Sequence, residues 1–348
     1  MPPESITALT AQTRLRNAPF FEAIPQVWRQ PLGWLFVSFA ILGAATAREW
    51  GEMAHQWWNI DTYNHILLVP LIAIWLIWLK SDELVRIVPR AWAPGLLFVA
   101  GALALWLAGR VTGVNLVAHA GAVGAVQGAL LAASGVRVST LLALPFAFLA
   151  FLVPFGDEII PFLQSITAQI AIALTKWSGV PAVIDGIYID TPVGLFIVAE
   201  ECSGVKFLVA MVTLAVLVGF TRFTNWSRRA LFLSGAIVLS VLANGVRAWG
   251  TIYIAQFAGV EFAAGFDHIV YGWVFFAVIV ALTLAAAWPF FQCEPEDYGF
   301  TTGELEGMGW IKRFETREDS SVLVCASLAG LVVAVTVAAA ILTPTSGM

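Results

Sequence analysis

Charge is scarce in this sequence. Asp, Glu, Lys and Arg supply 12% of its 348 residues, against about a quarter in soluble domains, which excludes an ordinary soluble enzyme. Basic residues are not in excess either. The 18 Lys and Arg against 23 Asp and Glu leave a formal net charge of -5, which gives no reason to expect nucleic acid as a partner. Cysteine is rarer still: Cys202, Cys293 and Cys325 form no CxxC pair and are too dispersed for a disulfide framework or a zinc ribbon. There are only four His, and no His or Cys pair has helical ligand spacing, so neither a metal nor another cofactor is expected. No repeat or low-complexity tract stands out.

What fills the sequence is apolar. Hydrophobic residues make up 59%, with 15 Trp, 24 Phe and 29 Gly, and the mean hydropathy is +0.84. One globular core cannot hide that much apolar surface, so lipid must take up much of it. Charged residues punctuate the chain, and the intervals between them measure the membrane segments, each needing roughly 17 to 25 largely apolar residues. About eight or nine qualify: Gly33 to Ala47, His65 to Leu79, Ala93 to Gly109, Asn115 to Ser134, Thr140 to Phe155, Gly204 to Phe220, Ala230 to Val246, Ile269 to Trp288 and Val322 to Leu342. The expected fold is an all-α membrane protein, a polytopic helical bundle. Residues 1–30 read as a cytoplasmic tail, 31–291 as the transmembrane body, 292–320 as an acidic cytoplasmic connector, and 321–348 as a C-terminal transmembrane helix with a short tail.

The N-terminal tail carries Arg14, Arg16 and Arg29 and lacks a small-residue cleavage site after the first apolar run, which therefore reads as an uncleaved anchor. Counting from a cytoplasmic tail places Lys80, Arg86 and Arg90, then Arg137, then Arg222, Arg228 and Arg229 on the cytoplasmic side, as the positive-inside rule requires. That agreement holds only if Asp157 to Val180 does not cross. The segment contains Pro161, Gln164, Ser165, Thr167, Gln169, Thr175 and Lys176 and reads as an amphipathic helix on or dipping into the outer surface. Val183 to Val198 alternates and is broken by Gly186, Pro192 and Gly194, which suits a short hairpin.

Three reactive or charged groups then fall at one membrane level. Cys202 lies at the outer start of the sixth span, where helix N-terminal amides favour a thiolate. Arg247 ends the seventh span and His268 begins the eighth, both at that same outer face. Taken singly, such a Cys is usually a packing residue, such an Arg snorkels to headgroups, and such a His is interfacial. Together they suffice for acyl transfer: a thiolate attacks a carbonyl, imidazole moves the protons, and guanidinium stabilises the oxyanion. Asp267 and Glu201 are the candidates to orient His268 or Arg247, although a carboxylate against the sulfur would oppose attack. His65, near Glu52, His55 and Asp61, is the competing acid/base or ligand candidate. Trp50, Trp57 and Trp58 read as an aromatic belt. Cys293 and Cys325 read as bystanders.

The blocks Glu201-Cys202-Ser203-Gly204, Asn244-Gly245-Val246-Arg247 and Asp267-His268-Ile269-Val270-Tyr271-Gly272-Trp273 resemble the Cys, Arg and His motifs of the exosortases, bacterial membrane transpeptidases that process proteins with PEP-CTERM tails. Tyr63-Asn64-His65-Ile66-Leu67-Leu68-Val69-Pro70 resembles the family's early His-containing span, and Leu144-Pro145-Phe146 through Val153-Pro154-Phe155-Gly156 its mid-chain segment. The resemblance implies Cys202 as nucleophile, Arg247 as transition-state stabiliser and His268 as acid/base, with Lys206, Asn244, Asp267 and His65 as supporting candidates. It also implies a bacterial inner membrane location with the site facing the periplasm and a link to exopolysaccharide and cell-surface assembly. The partners would be PEP-CTERM-like precursors, with an unidentified acceptor amine or water taking the acyl group. Where many members carry Arg four residues after the Cys, this chain has Lys206, which keeps the charge but loses the bidentate fork. Some members continue into a fused periplasmic domain; here an exopolysaccharide-system partner is expected as a separate protein. The rival classes are a multi-span permease, which should show inverted repeats and mid-span charges, and a non-catalytic scaffold of a polysaccharide export system.

Overall fold

The computed structural model describes residues 25–266, 272–315 and 319–342. Among these, six helices are long and apolar enough to cross a membrane, or up to eight if each of two bent pairs is one span. The expected all-α polytopic class holds, with six to eight candidate spans against the expected eight or nine. The difference lies in two stretches, Asn64–Leu79 and Ala143–Leu152, which form shorter apolar helices.

The chain divides into two compact units. The first combines the described residues up to Ala54 with Pro70–Val153 and those from Gly299 onward. Its main helices are α1 (Gln26–Ala45), α2 (Ala47–Asn59), α3 (Val69–Leu79), α4 (Leu96–Thr112), α5 (Asn115–Leu141) and α6 (Ala143–Phe148). Later in the sequence this unit adds α12 (Thr302–Gly307), α13 (Gly309–Phe314) and α14 (Ser321–Leu342).

Helices α4 and α5 pack through small residues. An ideal Cβ on Gly121 would lie 2.3 Å from the Trp106 backbone nitrogen, one on Gly109 2.3 Å from that of Ala118, and one on Gly128 2.8 Å from that of Val99. In lipid, where apolar burial drives helix association little, such close backbone approach is a principal source of attraction. Leu328 and Val332 of α14 pack with Leu42, Val99, Leu103, Ala125 and Ala129, so the last apolar helix is part of this unit's core. The acidic connector is also built into it. Leu305 and Ile311 are fully buried with Trp28, Ile87, Val136, Val138 and Leu141, Arg137 pairs with Glu315 at 2.6 Å, and Glu83 accepts from Thr302. Thr301 and Glu304 form a capping box at the start of α12, and bonds from the Thr301 backbone and hydroxyl hold the Glu304 carboxyl below its usual range.

A charged group in this unit escaped the sequence reading. Glu49 of α2, 2% exposed, accepts from Arg110 of α4 at 3.1 Å. Glu52 meets Arg48 at 2.7 Å and His119 of α5 at 3.3 Å. Burial pushes the Glu52 carboxyl up, but the bonds from Arg48 and His119 outweigh it and hold it low.

The second unit comprises His55–Val69 and Pro154–Tyr298. It contains α7 (Ile160–Trp177), strands β1 (Val183–Asp185), β2 (Tyr188–Thr191) and β3 (Gly194–Ile197), then α8 (Val205–Arg222), α9 (Trp226–Ala258), α10 (Val260–Phe266) and α11 (Gly272–Ala287). The expected hairpin is a three-stranded antiparallel sheet in the order β1-β2-β3, with Ile189 opposite Ile184 and Phe196. Ile189 and Val198 seat it on Ala168 and Ala171 of α7 and Ile252 of α9.

Two sequence expectations change here. Helix α7, read as a surface helix, belongs to a segment long and apolar enough to cross, and Thr167 and Thr175 are buried within the protein. Pro161 sits in its first turn, where the missing N–H costs no helical bond. Helix α9 does not stop at Val246. It runs 33 residues, about 50 Å at 1.5 Å per residue, against a hydrocarbon core of about 30 Å.

The α4–α5 contact predicts an asymmetry between glycines. Gly121→Val should lower stability by about 1–3 kcal/mol through overpacking, read as earlier thermal unfolding in detergent. Gly101→Ala, whose Cβ would meet nothing within 4 Å, should be neutral or stabilising. Equal effects would contradict the close packing.

Candidate active site

The Cys-bearing segment runs from the end of β3 to the start of α8. Residues Glu200–Cys202 make one 3-10 turn, with the Cys202 N–H donating to the Ala199 carbonyl at 3.0 Å. Gly204 then adopts φ +82° and α8 begins at Val205. The left-handed residue turns the chain sharply, so the thiol precedes the helix by less than one turn. Gly204 is also a point of contact: an ideal Cβ there would lie 2.4 Å from the Asn244 Cγ. Only glycine lets the Asn244 amide lie flat against this bend.

Asn244 is 5% exposed. Its Nδ2 donates to the Cys202 carbonyl at 2.8 Å and to the Thr167 hydroxyl at 3.0 Å. The Cys202 carbonyl, which can only accept, fixes which end of the amide is which, because a flipped oxygen would face oxygen there. The next residue, Gly245, lets α9 approach α7 so closely that a Cβ would lie 2.5 Å from the Ile170 Cγ2. One turn of α9 therefore carries the contacts to both the Cys segment and α7.

Arg247 lies on that same turn. It is 7% exposed, and its guanidinium sits 5.5 Å from the Phe207 ring centroid, a cation–π distance. Phe207 in turn stacks on Phe276 of α11 at 5.0 Å. Cys202, Asn244 and Arg247 line one cavity of about 70 Å³ with Phe196, Ile197, Val198, Ala248, Thr251 and Ile252. The position expected to end the seventh span is thus inside a longer helix that continues past Trp249 and Tyr253 to Ala258.

The other site candidates fall elsewhere. The Lys206 ammonium lies 5.1 Å from the Phe207 ring centroid, so both cations flank one aromatic ring. His65 is half-buried, its Nδ1 3.0 Å from the Thr62 carbonyl oxygen, and it does not line the cavity. Asp267 and His268 lie outside the described residues. Cys293 donates to the Thr221 carbonyl at 3.4 Å, and burial pushes its thiol up, against nucleophilic use. Cys325 is buried within α14.

Further polar and close contacts lie in the same unit. Tyr63 is buried and donates to Asp157 at 2.6 Å. Beside that bond, Gly156 leaves space that Val205 and Val209 fill, each 3.0 Å from where its Cβ would be. Gln164 and Thr167, polar residues that suggested a water-facing helix, instead bond the Cys segment: Gln164 donates to the Val198 carbonyl at 2.7 Å and Thr167 to that of Ser203 at 3.3 Å.

Gly204→Ala tests the contact with Asn244. Forcing a Cβ into the left-handed region costs about 1–2 kcal/mol by itself, which Gly179→Ala, with φ +74° and nothing within 4 Å, should show alone. Gly204→Ala should destabilise more than Gly179→Ala in thermal unfolding, by the added displacement of Asn244. Equal shifts would mean that the contact contributes nothing.

Neither a curated protein nor a solved structure matches this chain. The family described as transmembrane exosortase matches residues 57–285, a stretch that covers the Cys block, the Arg block and the segments bonded to them. With most of its length so matched, and with the helical membrane architecture described above, the chain belongs to the transmembrane exosortase family.

Proposed function

We propose that the protein is a membrane cysteine transpeptidase or peptidase acting on exported precursors with PEP-CTERM-like C-termini. The observation that carries this reading is the shared cavity of Cys202 and Arg247, 45 residues apart in sequence, with Asn244 between them. A nucleophile and a permanently charged donor at one cavity are the minimum for attack on a carbonyl and stabilisation of the resulting oxyanion.

In this mechanism the Cys202 thiolate attacks the scissile carbonyl carbon. Arg247 stabilises the oxyanion, and its seclusion from water strengthens the interaction. His268 protonates the departing amine as the C–N bond breaks, leaving a Cys202 thioester. An acceptor amine or water then gives its proton to His268 and attacks the thioester, which releases the thiolate. Asp267 orients His268, Asn244 holds the Cys202 carbonyl, and Lys206 adds positive potential over Phe207. His65, at its distance from the cavity lining, is a supporting residue at most. No step calls for a cofactor.

The multi-pass architecture suits such a substrate. A precursor with a short Pro-Glu-Pro-like signal, one membrane helix and a basic tail can dock its helix laterally against the spans and present the signal at a fixed depth. The resemblance supports an inner-membrane protein with its site facing the periplasm. It likewise supports a place beside an exopolysaccharide system.

Precursor processing in cells tests the roles. Cys202→Ala should abolish processing at unchanged protein level, and Cys293→Ala should be silent. Arg247→Lys should retain crosslinking to the precursor yet slow turnover by about 100- to 1,000-fold, as for loss of an oxyanion donor. Normal processing by Cys202→Ala would reject the enzyme in favour of a permease or scaffold, and normal turnover by Arg247→Lys would reject the oxyanion role.

A further inference from the structure

We infer that Gln164 and Thr167 of α7 are positioning residues for Cys202, an inference that rests on the reading of Cys202 as nucleophile. The thiol is carried by a segment between a strand and a helix, where apart from one 3-10 turn no ladder of backbone bonds holds the chain. Three carbonyls of that segment instead accept side-chain donors: Val198 from Gln164 at 2.7 Å, Cys202 from Asn244 at 2.8 Å, and Ser203 from Thr167 at 3.3 Å. Thr167, 1% exposed, joins the set, because its oxygen also accepts the second Asn244 N–H at 3.0 Å. The chain of donors therefore runs from Asn244 through Thr167 to Ser203, with Gln164 three residues earlier on the same face of α7.

The selectivity of these bonds argues for a role at the site. Thr175, also among the polar residues of this segment, bonds to a carbonyl of its own helix, and Ser165 and Gln169 are exposed. Only Gln164 and Thr167 among these residues reach the Cys segment. Helix α7 is itself fixed by Ala168 and Ala171 against the sheet, so a rigid element sets the direction of each carbonyl and hence of the residue bearing the thiol. Displacing a nucleophile by about 1 Å can cost on the order of 100-fold in rate even when the altered residue does not touch substrate.

The test uses the full chain in membranes with a PEP-CTERM-like precursor, and N-ethylmaleimide as a substrate-independent probe of Cys202. Thr167→Val, nearly isosteric, should lower precursor turnover by about 10- to 100-fold with crosslinking to the precursor retained. Thr167→Ser should restore most of the turnover, and Gln164→Met should lower it in the same manner. The pH profile of Cys202 alkylation should shift in Thr167→Val and stay as wild type in Thr175→Val. Wild-type turnover in both Thr167→Val and Gln164→Met, or an equal loss in Thr175→Val, would overturn the inference. If Thr167→Val fails to accumulate, Gln164→Met and Thr167→Ser decide. Should Cys202→Ala itself process the precursor, the nucleophile reading fails separately; the alkylation profile then still judges the positioning, and an unshifted profile in Thr167→Val overturns it.

Discussion

The arrangement of the candidate site depends on one side-chain amide. Asn244 is buried where α9 passes both the Cys segment and α7, and both of its N–H groups are committed, one to the Cys202 carbonyl and one to Thr167. Each such bond contributes only about 1 kcal/mol net, but leaving a buried partner unsatisfied costs about 1–3 kcal/mol. The alternative orientations of the Cys segment are therefore disfavoured even though only one 3-10 turn of regular structure holds it. The glycines at 204 and 245 are the counterpart of that amide, since each removes a Cβ that would collide, with Asn244 itself in one case and with Ile170 in the other. The Glu-Cys-Ser-Gly and Asn-Gly-Val-Arg blocks are thus two halves of one contact.

The first unit solves a different problem with related means. Its helices face each other largely across apolar side chains in a lipid setting, where burial alone distinguishes poorly between protein and lipid. Glycine-mediated approach of α4 to α5 supplies close packing, and the Glu49–Arg110 pair supplies a specific junction with α2. A buried pair of this kind is poor evidence for net stability, because desolvation offsets much of the attraction. Losing one partner would nevertheless leave a buried charge, so the junction discriminates strongly against other placements of α2.

Much of this was legible in the sequence because the membrane imposes a simple rule on length and polarity. Charge spacing marked α4, α5, α8 and α14, and Gly186, Pro192 and Gly194 marked the turns of the small sheet. The same rule failed where a polar side chain faces protein instead of water. Gln164 and Thr167 give α7 an amphipathic pattern identical to that of an interfacial helix, and periodicity does not report what lies opposite. It failed again at Arg247, because a charge ends an apolar interval without ending a helix. Glu49, Arg110 and His119 went unnoticed for a third reason: they come from three separate elements, and only their meeting in space makes them a group. The meeting of Cys202 with Arg247 was expected from topology, whereas the intervening Asn244 bonds came from the fold.

The central claim is that Cys202 carries the acyl group during processing. The most direct measurement is to stop the reaction in membranes by rapid acid quench, isolate the protein, and sequence any precursor fragment attached to it through a hydroxylamine-labile bond. The account predicts one adduct, on Cys202, ending at the cut position of the precursor. An adduct on Cys293 or Cys325, or efficient processing with no adduct at any cysteine, would contradict it.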